Sequence, residues 1–156
     1  MTAFTISGLD PAPYRHLYGL TDDELRANAV VRYVADRPDA FPDRIELRDV
    51  EPGETVLLVN HVHQPANTPY RASHAIFLRE GAEEPRTLVN EIPRSLLIRP
   101  LSLRAFSADH MMVDGDVLDG VGAPALIERM FANPDVMYIQ AHFARRGCYA
   151  ALIERN

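Results

Sequence analysis

Lysine is missing from the sequence altogether: all 16 basic residues are arginine. That absence excludes Schiff-base chemistry, pyridoxal-phosphate attachment, a Walker-type phosphate lysine and a Ser-Lys dyad. Cysteine is nearly missing too. The single Cys148 allows no intrachain disulfide and no multi-cysteine zinc or iron–sulfur site. No apolar run approaches the ~18 residues of a membrane-spanning helix. Met1 to Asp10 lack both the positive charge and the apolar stretch of a secretory signal. With one unpaired thiol besides, a cytoplasmic protein with no membrane contact is expected. Gly-x-Gly-x-x-Gly, Gly-x-Ser-x-Gly and His-Glu-x-x-His are all absent, so the common dinucleotide, hydrolase and zincin templates have no support.

What is present is ordinary globular material, 47% hydrophobic and 24% charged over 156 residues, a size suited to a single domain spanning 1–156. The net charge of −6 argues against nucleic acid as a partner. Twelve prolines and eight glycines cut the chain into short elements, which predicts many strands and few helices. Ala3–Ile6 reads as a first strand. Asp10-Pro11 opens a short helix that Gly19 ends. Thr21-Asp22-Asp23-Glu24 is a capping box for a second helix ending near Asn28. Strands are expected at Val30–Ala35, Ile45–Leu47, Thr55–His61, Ser73–Arg79, Leu101–Phe106 and Met112–Leu118. Leu126, Ile127, Met130 and Phe131 share one face of a helix that begins at Pro124 and stops at Asn133-Pro134. Val136–Phe143 and Cys148–Glu154 form a closing hairpin. The strand, helix and strand from Met112 to Phe143 fit a crossover. The sum is an α+β fold: a mainly antiparallel, curved sheet or partial barrel with two or three short helices.

Polar chemistry concentrates in two places. The stretch Asn60–His74 holds three of the six histidines among Gln, Asn, Thr, Tyr, Arg and Ser. His61 and His63 would share a strand face about 7 Å apart, a spacing open to metal ligation with His74 as a third ligand. The acid of a cupin-like motif is missing, so no metal is assigned, and no cofactor is named. Asp114 and Asp116 share a strand face between Asp109 and Asp119, without calcium-loop spacing; a solvated strand edge is the expected meaning.

The string His63-Gln64-Pro65, Thr68-Pro69-Tyr70-Arg71 and Ser73-His74-Ala75-Ile76-Phe77 resembles the bacterial family called domain of unknown function 1203. Ile6–Asp10 and Ala144-Arg145-Arg146-Gly147-Cys148-Tyr149 add two further blocks in order. The resemblance implies a domain that fills a small bacterial protein. It implies no activity, cofactor, partner or catalytic residue. Its central string begins at His63 rather than His61, which weighs further against the His-x-His metal pair.

The second polar place is the last hairpin. Tyr138, Gln140 and His142 alternate along one face, expected to be solvent-exposed or the wall of a polar pocket. If the two places meet, Arg71, Arg145 and Arg146 would clamp a phosphate or carboxylate, as a planar guanidinium fork can. Tyr70 and Ser73 would line that pocket. His63, His74 and His142 would serve as proton donors or acceptors. The expected function is therefore a binding domain or small enzyme for an anionic small molecule. Two alternatives stand beside it: a non-enzymatic, self-associating or protein-interaction module, and a cysteine enzyme with Cys148 as nucleophile and His142 as base.

Overall fold

The structure, a computed structural model, describes residues 2–156. Its strands are β1 (Phe4–Ser7), β2 (Val31–Val34), β3 (Pro42–Asp43), β4 (Arg48–Asp49), β5 (Thr55–Gln64), β6 (Ala72–Arg79), β7 (Thr87–Val89), β8 (Pro100–Phe106), β9 (Met112–Asp119), β10 (Tyr138–Phe143) and β11 (Tyr149–Arg155). Three helices, α1 (Asp22–Ala27), α2 (Arg94–Leu97) and α3 (Ala123–Phe131), lie among them. The six-stranded sheet runs β7-β1-β11-β10-β8-β9, a three-stranded sheet runs β2-β5-β6, and β3 pairs with β4. Every pairing is antiparallel, and no sheet closes into a barrel. The fold is α+β, as the alternation of short strands and sparse helices implies.

β9 and β10 both pair with β8, so they run parallel to each other and α3 makes the crossover between them. Leu126, Ile127, Met130 and Phe131 are the buried stripe of α3. Arg155 caps the far end of that segment by donating to the carbonyls of Phe131, Asn133 and Val136. Val56 and Leu57 of β5 are both buried because both faces of the strand are covered: Leu57 joins the main core and Val56 a second cluster with Ala35 and Val50. A continuous core links Phe4 and Ile6 of β1 to Ile153 of β11 and to Leu57, Val59, Ile76 and Leu78 of the smaller sheet.

At α1 the Thr21 hydroxyl accepts from the Glu24 amide at 3.2 Å and the Glu24 carboxylate accepts from the Thr21 amide at 2.8 Å. Thr21→Ala is expected to lower stability by about 1 kcal/mol in urea unfolding, the usual value of an N-cap.

Two segments differ from their sequence patterns. Ile45–Leu47 is not a strand but the turn joining β3 to β4. The Asp43 carboxylate accepts from the amides of Ile45 and Glu46, bending the backbone, and Leu47 has a positive φ of 54°. Ile45 and Leu47 are buried all the same, so apolar character marked the core without marking the element. Asp10–Gly19 is a series of turns with a single 3₁₀ turn at Arg15–Leu17 rather than an α-helix. The Asp10 carboxylate accepts from the Ala12 amide in a local turn, and the 3₁₀ turn itself has no side-chain cap. Among the described residues no helix is long and apolar enough to cross a membrane.

Candidate functional site

The polar face of β10 is neither solvent-exposed nor part of an open pocket. It is pressed against β5. Gln140 is buried, and its amide donates to the His63 carbonyl at 2.8 Å. The Gln140 Oε1 lies 3.0 Å from His63 Nδ1 and 3.1 Å from His142 Nε2. His142 is 0% exposed, and its Nδ1 faces the Gly147 carbonyl at 3.0 Å. Both ring nitrogens of His142 thus face oxygen, and a neutral ring can donate to only one of them. His63 is the extra residue of a β-bulge between Val62 and Gln64, which aims its ring at this seam. The ring stacks on Tyr149 at 5.7 Å between centroids. His61 touches the same Tyr149 and is hydrogen-bonded through Nδ1 to the Tyr14 hydroxyl at 2.7 Å.

Burial depresses all three histidines. It takes His61 down to about 4, with the neighbouring His63 and Arg44 adding to the effect. It takes His142 down to about 3, with Arg104 adding to the effect and the Gly147 carbonyl opposing it. His63 moves the same way, with its Gln140 bond opposing. The rings are neutral at pH 7 and act as a hydrogen-bonded seam between the sheets. Among the described residues no group of three or more His, Cys, Asp or Glu is placed to hold a metal ion.

An open cavity of about 620 Å³ lies on the other side of the hairpin. It is bounded by the edge of β6, the β10–β11 turn and the segment that carries β3. Its walls hold Arg37, Arg44, Arg99, Arg145, Arg146 and His74, and no acidic residue lines it. Tyr33, Phe41, Phe77 and Phe143 supply the apolar part, and Cys148 belongs to the same wall. On a chain of net charge −6, this concentration of one sign is local.

The arginines differ in what they are free to do. Arg99 is committed to Asp49 through two bonds of 2.9 and 2.6 Å. Arg37 is paired with Asp36 at 3.3 Å, in an exposed position. Arg145 and Arg146 sit exposed in the turn and make no ion pair or side-chain hydrogen bond among the described residues. Arg44 is 2% exposed. Its guanidinium donates to the Tyr149 carbonyl at 2.8 Å, the Pro42 carbonyl at 2.6 Å and Cys148 Sγ at 3.1 Å. It also lies 4.9 Å from the Phe143 ring centroid, with Arg99 at 5.3 Å from the same ring. None of its hydrogen-bond partners is a carboxylate. Burial lowers its pKa below the ordinary arginine value, and Cys148 is the largest opposing influence.

The sequence-derived candidates therefore divide. His74, Arg145, Arg146 and Cys148 share the cavity. His63 and His142 meet each other, with rings 4.8 Å apart, but in the seam. His142 does not reach Cys148: its two nitrogens are engaged elsewhere, and the register pairs it with Tyr149. The Phe143 amide bonds to the Cys148 carbonyl, which puts the thiol on Phe143's side of the ribbon. Arg71, Tyr70 and Ser73 are exposed at the tip of the β5–β6 hairpin. Tyr70 packs on Phe106, which stacks on Tyr138 at the end of β10 opposite the Arg145 turn. Arg71 is therefore not part of the clamp. Arg44 and Arg99 were not legible in the sequence, because a buried guanidinium is defined by contacts 50 to 105 residues away.

The fold and site together define a small antiparallel α+β protein with an arginine-lined cavity beside its last hairpin. Residues 40–155 match the family described as protein of unknown function (DUF1203), and the chain belongs to that family. The match contains the His63–Phe77 and Ala144–Tyr149 strings; the Ile6–Asp10 block lies outside it. No curated protein and no solved structure matches the chain.

Proposed function

We propose that the protein binds a small phosphate- or carboxylate-bearing molecule with an apolar or aromatic body in the cavity beside the β10–β11 turn. The supporting observation is a cavity of about 620 Å³ whose charged lining is entirely cationic, with two arginines at its rim left unpaired. Exposed arginines at a turn are usually just solvated. Here Arg145 and Arg146 border a hollow with an aromatic wall, where an anion gains a bidentate contact and its body loses water. If the site is catalytic, acid–base work falls to His74, the one histidine on its wall.

Calorimetry with phenyl phosphate, inorganic phosphate and benzyl alcohol tests this. Phenyl phosphate is expected to bind, more weakly as salt rises, and benzyl alcohol to give no heat. The double variant Arg145→Ala/Arg146→Ala is expected to weaken phenyl phosphate by about tenfold or more while leaving the melting temperature unchanged. Absence of binding, or equal binding by the double variant, overturns the proposal.

A further inference from the structure

One wall of the cavity is an open sheet edge. β6 pairs with β5 and with no other strand, and His74, Ala75, Ile76 and Phe77 line the hollow. The Arg44 amide donates to the Phe77 carbonyl at 3.2 Å, so the backbone of Phe77 faces away from β5. By the alternation of an antiparallel ladder, Ser73, Ala75 and Arg79 face the same way. Beside Phe77 and Arg79 the edge is filled: Arg44 takes the Phe77 carbonyl, and the Asp43 carboxylate accepts from the Arg79 amide at 2.8 Å. From Phe77 back to Ser73 it is free. The outward amides of Ala75 and Phe77 have no partner among the described residues. The Ala75 carbonyl meets only the ring of its neighbour, His74 Nδ1 at 3.0 Å.

We propose that the cavity takes the C-terminal end of an extended peptide, added to β6 as a parallel strand. The proposal rests on the anion-binding reading above and names the class of its ligand. A chain laid along this edge in the direction of β6 donates an amide to the Ala75 carbonyl, displacing the His74 ring. Its next carbonyl accepts from the Phe77 amide. The amide after that would need the Phe77 carbonyl, which Arg44 already fills. The added strand has to stop on a carbonyl, and a chain that stops there ends in a carboxylate. Charge agrees with that direction. Arg145 and Arg146 border the hollow and no acidic residue lines it, on a chain of net charge −6. A chain running the other way would bring its ammonium group to the same arginines.

Calorimetry on the full-length protein with the peptide acetyl-Ser-Thr-Val-Ala-Val tests this, because the probe changes and the fold does not. The free acid is expected to bind and to compete with phenyl phosphate. Its C-terminal amide is expected to bind about tenfold more weakly or worse. Methylation of the last peptide nitrogen, which removes the bond to the Ala75 carbonyl, is expected to cost about tenfold as well. Arg145→Ala/Arg146→Ala is expected to weaken the free acid and to leave the amide unchanged. Amide hydrogen exchange read by NMR is expected to slow at Ala75 and Phe77 in the complex. Binding of phenyl phosphate without the peptide, or equal binding of the parent and N-methyl peptides, overturns the inference and leaves the anion-binding reading in place. Equal binding by an amidated peptide with glutamate side chains overturns the assignment to a chain terminus. Absence of binding by both phenyl phosphate and the peptide overturns both.

Discussion

Gly8→Ala is expected to lower stability by about 3 kcal/mol and the melting temperature by about 10 °C, the scale of forced overpacking in a domain of this size. A Cβ at position 8 would stand 2.0 Å from the Ile45 carbonyl oxygen and 3.2 Å from that of Arg44. Neither carbonyl can withdraw freely. The Leu9 amide donates to Arg44 and the Arg86 amide donates to Ile45, so relief breaks one bond or the other. The same turn carries the Arg44 side chain to Cys148. The variant is therefore expected to weaken phenyl phosphate as well as to melt early. Gly19→Ala separates sterics from backbone conformation. Gly19 has φ of 75° and nothing near its absent Cβ, so alanine there is expected to cost only about 1 kcal/mol. Thermal and urea unfolding of both variants decide the matter. Equal, small losses would mean that the turn is soft and that Gly8 does not fix Arg44.

That dependence explains which parts of the site could be read from sequence. Residues close along the chain were legible. Arg145, Arg146 and Cys148 belong to one turn, and its register, with His142 opposite Tyr149, follows from turn length alone. A bulge at Ala150 then shifts the register between the His142–Tyr149 and Ala141–Ala151 pairs. The capping box and the α3 stripe were legible because caps and helical periodicity are local physics. β7 and α2, at three and four residues, are too short to show a period. Arg71 lies apart from the cavity for a different reason. A long hairpin carries its tip away from its base: His74 reaches the cavity and Arg71, three residues nearer the tip, does not. Arg44 was hidden because nothing in Phe41-Pro42-Asp43-Arg44 announces burial. Gly8, Asp43 and Tyr149 impose it from three separate segments.

Acidification from pH 7 to pH 4 is expected to lower stability by about 3 kcal/mol, with histidines responsible for most of the loss. The sign follows from the direction of the shifts. His61 is held down to about 4 and His142 to about 3, while the unfolded chain titrates these rings at an ordinary histidine value. Above pH of about 6.5 neither state is protonated, and the neutral seam contributes in full. As pH falls below that value the unfolded chain takes up protons that the folded protein refuses, and stability declines. The decline ends only once the folded rings protonate in turn. Paired carboxylates act in a lower window. Glu54 and Glu80 are held down to about 2 by Arg48 and Arg32, so their contribution falls away only below the ordinary carboxylate value. The loss between pH 7 and pH 5 therefore reports the seam and not the ion pairs. Urea unfolding across that range measures it, and the slope gives the number of protons taken up on unfolding. In His142→Gln, whose amide can still meet Gly147 or Gln140, the slope is expected to fall by about one proton once titration is complete. A profile that stays flat from pH 7 to pH 5 would mean that the rings reach solvent and that β5 and β10 are not sealed together. A steep profile that His142→Gln leaves unchanged would move the proton uptake to His61 and His63 beside Tyr149.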